Sequence, residues 1–150
     1  MEKELSQYSR EMAAQILEVY PEWQDVADID TYNGETYFNL EITPPSNNVK
    51  APLRIYTYGD EITVSFDSYH GHFYDLVNID GGDAKTLIDQ IISDNSTVVS
   101  YWWDDEWCGS MLLDSSDVPI NNEEYPYANR IRIRTWSGRL DKDITCEPRG

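Results

Sequence analysis

Basic residues are scarce in this chain of 150 residues: 11 Lys and Arg stand against 28 Asp and Glu, for a formal charge of −17. That shortage argues against direct binding of nucleic acid, whose phosphates need Lys and Arg to displace counterions. It disfavours an anionic membrane surface for the same reason. No apolar run approaches the roughly 18 residues that a helical membrane span needs. The opening Met1-Glu2-Lys3-Glu4 lacks the basic and apolar regions of a secretory leader, so a cytoplasmic location is expected. Cysteine is limited to Cys108 and Cys146, with no CxxC pair, which predicts two free, buried thiols rather than a disulfide. Histidine is limited to His70 and His72. There is no GxSxG elbow, no HExxH, and no phosphate loop around Gly81-Gly82. Enzymatic signals are weak throughout, and no cofactor is expected.

What the chain does hold is aromatic. Five Trp and eleven Tyr raise the aromatic share to 13%, and hydrophobic residues reach 40%. A disordered acidic tail lacks that apolar area, so the chain folds. Its length predicts one domain over residues 1–150.

Leu5, Tyr8, Met12, Ile16, Val19 and Trp23 recur every three or four residues, the spacing of an amphipathic helix, with Pro21 breaking it after Tyr20. Residues 25–34 are acidic and turn-rich and read as a connection. Thr36, Phe38, Leu40 and Ile42 alternate with polar residues, which predicts a strand closed by Pro44-Pro45 and the loop Ser46-Asn47-Asn48. A second strand runs from Leu53 to Tyr58, and Gly59-Asp60 predicts a hairpin into a third through Ile62, Val64 and Phe66, continuing toward Phe73. Asp83 is a good N-cap for a helix burying Ala84, Leu87, Ile88, Ile91 and Ile92, with Asn95 suited to its left-handed end. Thr97–Trp103 and Glu106–Leu113 then pair across Asp104-Asp105. A polar loop spans 114–127, the stretch from Arg130 to Trp136 alternates cleanly, and Ser137-Gly138 turns into a short tail strand through Ile144. The order is helix, three strands, helix, three strands. This predicts an α+β fold with an antiparallel sheet of about six strands in two meanders, the helices packed on the sheet.

Candidate chemistry starts at His70-Gly71-His72. On a strand, i and i+2 share a side, so both imidazoles could face one metal ion with Asp67 or Asp75. A catalytic zinc wants three protein ligands and no third His exists, so the pair reads as hydrogen-bonded histidines supporting the fold and no metal is expected. Arg130, Arg132 and Arg134 form a row on one face of a strand. Residues 1–129 carry 25 acids and 5 bases, whereas 130–150 carry 3 and 6. In so acidic a chain, cross-strand pairing with Asp and Glu explains the row better than a phosphate site. The densest cluster is Tyr101-Trp102-Trp103-Asp104-Asp105-Glu106-Trp107, where alternation sends Trp102 to the face opposite Tyr101 and Trp103. Either helices and loops cover both faces, or Trp102 and the acids beside it form an interface for a basic partner. Asp60-Glu61 and Glu123-Glu124 are further exposed acidic candidates.

Phe66-Asp67-Ser68-Tyr69-His70-Gly71-His72-Phe73, Trp107-Cys108-Gly109 and the stretch from Ala128 to Gly138 resemble segments of small acidic bacterial proteins. Those proteins are grouped with the immunity proteins of polymorphic-toxin and contact-dependent growth inhibition systems. The similarity spans roughly residues 60–145. The resemblance implies a protein that binds and neutralises a cognate toxin, of which many are basic nucleases, by stoichiometric occlusion without turnover. The charge fits that implication, because electrostatic steering raises association rates by about 10 to 10³-fold at low ionic strength. Two other readings stand beside it: an acidic nucleic-acid mimic that inhibits another DNA- or RNA-handling protein, and a metal-dependent hydrolase using His70 and His72.

Overall fold

The computed structural model describes residues 4–45 and 52–148. The expected loop residues Ser46, Asn47 and Asn48 lie outside that range. The chain divides into two compact units. The first draws its described residues from 4–43, 52–65 and 70–89, the second from 44–45, 66–69 and 90–148.

In the first unit, helix α1 (Gln7–Val19) starts where the Ser6 hydroxyl accepts the Ser9 N–H at 3.1 Å. Pro21 ends it and begins a 3-10 turn over Pro21–Val26. Met12 and Ile16 are buried as expected, but Val19 is exposed. Tyr20 takes the buried place instead, stacked on Trp23 at 4.3 Å. Its hydroxyl donates to Asp89, and burial reinforced by that bond pushes its pKa far above the ordinary tyrosine value.

Residues 25–34 are not merely a connection. After the 3-10 turn, strand β1 (Ala27–Tyr32) pairs with β2 (Glu35–Ile42) across Asn33-Gly34, whose φ values of 50° and 80° suit a primed hairpin turn. Because β1 is an edge strand with almost every residue exposed, it carries no apolar alternation for periodicity to detect. Its acids have a local task. Asp28 accepts the Ile29 N–H at 2.8 Å and Asp30 accepts the Thr31 N–H at 2.9 Å. In a two-residue hairpin these alternate amides point out of the sheet, so the carboxylates cap the donors that a foreign strand would use. Replacing both by alanine should uncover that edge. Sedimentation at high concentration is expected to show self-association that exceeds the native chain's; unchanged mass would mean the caps do not guard it.

Strand β3 (Leu53–Tyr56), a 3-10 turn at Tyr58–Asp60 and strand β4 (Ile62–Phe66) follow, and Gly59 at φ 75° permits the turn. The expected single run to Phe73 instead reverses at Asp67 (φ 52°) and Ser68, returning as β5 (Tyr69–Phe73). The five strands lie in sequence order. Gly71 between the histidines has a packing reason. A Cβ there would stand 3.1 Å from Leu87 Cδ2 and from the Phe73 ring.

Helix α2 (Ala84–Ile92) carries the chain into the second unit. Asp83 caps it by accepting from the Thr86 hydroxyl and N–H and from the Asn78 N–H. Those bonds, the Thr86 hydroxyl first, hold its carboxyl below the usual carboxylate range. Asp94 (φ 63°), not Asn95, adopts the left-handed conformation after the helix. Its carboxylate accepts from the Ser137 N–H and hydroxyl.

The second unit holds β6 (Ser96–Trp103), β7 (Glu106–Asp114), β8 (Arg130–Arg134) and β9 (Lys142–Thr145), in the order β7-β6-β8-β9. Val99, Tyr101, Ala128, Ile131 and Ile133 form its core, with Met111 and Ile144 against it. Gly109 admits Tyr125: a Cβ there would lie 2.5 Å from the Tyr125 hydroxyl, and the Tyr125 ring packs tilted against Tyr101 with centres 4.5 Å apart. The fold is therefore α+β with two antiparallel sheets of five and four strands, rather than about six strands in two meanders. Both cysteines are free, but Cys108 is exposed and Cys146 half-buried, because β7 is an edge strand whose hairpin end stands out of the core. Among the described residues no helix is long and apolar enough to cross a membrane.

Candidate partner-binding site

The β6–β7 hairpin ends on Asp104-Asp105, with Asp104 at φ 52°. The register shifts between Tyr101 and Trp102: Cys108 is the extra residue on β7, which puts Trp107 opposite Trp102, while β6 keeps an unbroken register with β8. Tyr101 stays fully buried, whereas Trp103 and Trp107 are 52% and 57% exposed. Asp104, Asp105 and Glu106 are all exposed beside them. The interface candidate from sequence, Trp102, is half-buried, and its indole N–H donates to Ser100 at 2.8 Å. Trp103 and Trp107 are the rings that reach water: Trp103 lies one residue beyond the last β6–β8 pair, and Trp107 adjoins the extra residue of β7.

Trp102 serves the arginine row. Val98, Ser100 and Trp102 face Arg134, Arg132 and Arg130 across the β6–β8 ladder. The Arg132 guanidinium lies 4.6 Å from the Trp102 ring centre and Arg130 lies 5.4 Å from it. Arg132 also bonds Asp67 at 3.0 Å, and Arg134 pairs with Asp143 on β9 at 3.0 Å. Two of the three arginines are thus held by carboxylates of the second unit. Arg130 borders a shallow groove of about 610 Å³ shared with Asp104, Asp105, Asn129, Thr145 and Cys146.

Asn129 positions the hairpin tip, a role with no sequence signal beyond its place before β8. Its amide oxygen accepts the Asp104 N–H at 2.9 Å, its amide nitrogen donates to the Asp104 carboxylate at 3.0 Å, and its backbone N–H bonds the Trp102 carbonyl. Asn129 therefore fixes the tip at Asp104, with Asp105 and Glu106 exposed beside it. Glu123 and Glu124 are exposed on the 115–129 connection of the same unit. Asp60 and Glu61 belong to the first unit, so the acidic candidates are divided between two bodies.

The histidines are both exposed, with ring centres 5.1 Å apart and edge-on. His72 Nδ1 lies 2.9 Å from the Thr63 hydroxyl and 3.2 Å from Glu61. Asp67 is engaged with Arg132, and Asp75 accepts from the Asn78 side chain. Among the described residues no three His, Cys, Asp or Glu converge as metal ligands would. No protein-family model, curated protein or solved structure matches this chain.

Proposed function

We propose that this chain is an immunity-type inhibitor that binds a basic protein partner, a nuclease-type toxin domain, and blocks it by stoichiometric occlusion. In this reading it acts in the cytoplasm, catalyses nothing, needs no cofactor and engages neither nucleic acid nor membrane directly. The observation that carries the reading is the hairpin end: two solvent-facing tryptophans beside three consecutive acids, braced by Asn129. Aromatic anchors supply contact area at an interface, and carboxylates around them steer a basic surface into register.

The test is co-expression with a basic toxin domain, where one is encoded beside this chain, followed by binding kinetics. The triple variant Asp104→Asn, Asp105→Asn, Glu106→Gln should lower the association rate about tenfold at low salt and flatten its salt dependence. Trp103→Ala with Trp107→Ala should instead speed dissociation. Failure to rescue growth or to co-purify would defeat the proposal. Binding to some other DNA- or RNA-handling enzyme would favour the nucleic-acid mimic.

A further inference from the structure

The outer face of the five-stranded sheet carries a second arrangement, independent of the hairpin and built wholly from the first unit. Registry places Asp30 opposite Tyr37, Tyr32 opposite Glu35, Asn39 opposite both Asp28 and Tyr56, and Glu41 opposite Arg54. Residues directly opposite in a ladder share a face, so these side chains form one surface. Tyr58 completes it from the 3-10 turn, which Glu35 holds by accepting the Gly59 N–H at 2.8 Å.

The tyrosines meet edge to face. Tyr58 lies 5.6 Å from Tyr32 at 67° and 5.5 Å from Tyr37 at 79°, and Tyr37 lies 6.0 Å from Tyr56. With Arg54 they line a cleft of about 210 Å³. That is below the roughly 300–1,000 Å³ of sites for drug-sized ligands, and it suits a single side chain. Arg54 shows what these rings accept: its guanidinium lies 4.7 Å from the Tyr56 ring centre, tethered by Asn39 at 3.3 Å and Glu41 at 3.5 Å. Asp28, Asp30, Glu35 and Glu41 outnumber Arg54 on this face, which leaves it net negative.

We propose that the Tyr32–Tyr37–Tyr56–Tyr58 cleft is a docking site for an arginine side chain of a protein ligand. A planar guanidinium stacks on aromatic faces while its N–H groups remain free for carboxylates at the rim, and an ammonium does this less well. An anion would meet the surrounding carboxylates, and a purely apolar side chain would leave them without a counter-charge.

An arginine hexapeptide and a lysine hexapeptide are the probes, titrated at low salt into the full chain with aromatic carbon–proton NMR and calorimetry. The expected result is ring-signal shifts at Tyr32, Tyr37, Tyr56 and Tyr58 with the arginine peptide, and weaker shifts there with lysine. Tyr32→Leu with Tyr58→Leu should weaken arginine-peptide affinity about fivefold, while Tyr32→Phe with Tyr58→Phe retains it. The Asp104, Asp105, Glu106 triple variant should leave the tyrosine shifts in place, which separates this site from the hairpin. Shifts confined to Trp103 and Trp107, equal response to both peptides, or undiminished affinity in the leucine pair would overturn the proposal. The wild-type NMR result decides even if the leucine pair folds poorly.

Discussion

Arg132→Ala is expected to cost about 3–5 kcal/mol of folding stability, because it strands the Asp67 carboxylate in a site that water barely reaches. The two side chains are 9% and 2% exposed, and their contact is 3.0 Å. The same substitution removes the guanidinium stacked on Trp102, so packing is lost along with charge. Asp67→Asn should cost less, since Arg132 keeps its ring contact and the amide oxygen still accepts. Urea denaturation of the two single variants and the double variant checks this. The double variant should be more stable than the sum of the single losses predicts, by the coupling of the pair. A loss below about 1 kcal/mol in Arg132→Ala would mean that Asp67 reaches solvent and the pair behaves as a surface contact.

Asn122→Ala should cost about 1–3 kcal/mol, chiefly from the buried Ala128 carbonyl left without its donor. Asn122 is 2% exposed, and its amide nitrogen donates to the carbonyls of Pro126 at 3.1 Å, Ala128 at 2.8 Å and Glu147 at 3.1 Å. It ties the 115–129 connection to itself and to the residues after β9. That connection bears Glu123 and Glu124 and delivers Tyr125 onto Tyr101 and Asn129 onto the hairpin tip. The variant should therefore raise amide exchange across 121–129 as well as lower the urea midpoint. A lower midpoint with unchanged exchange there would show that Asn122 acts elsewhere.

The arginine row was legible because alternation puts Arg130, Arg132 and Arg134 on one face whatever the tertiary context. Asp143 could be foreseen as a cross-strand partner, being on the next strand. Asp67 could not be, since it lies 65 positions away, in the turn between β4 and β5. Asn122 looked like loop polarity; only closure of the connection around it makes it a buried clasp. At the candidate site, the acids of the hairpin were evident from the sequence. Which tryptophans reach solvent was decided by where the pairing with β8 ends, at Trp102, and by the extra residue Cys108 on β7, neither of which periodicity announces. The tyrosine cleft escaped for a related reason. Tyr32, Tyr37, Tyr56 and Tyr58 come from three strands and a turn, and Tyr32 sits on an edge strand whose acids hid it.

The sequence by itself determined the charge, the α+β class, the two helices and the strands with one buried face, because hydrophobic periodicity and capping act over a few residues. Tertiary structure alone decided the edge strands β1 and β5, the order β7-β6-β8-β9, and the partners of Arg132 and Asn122. Those depend on which segments meet across long separations, where registry and burial are collective. The scarcity of basic residues follows the same division. Composition established the excess of acids, and the fold decided that Arg54, Arg132 and Arg134 are paired with carboxylates of the protein while Asp104, Asp105 and Glu106 are left exposed.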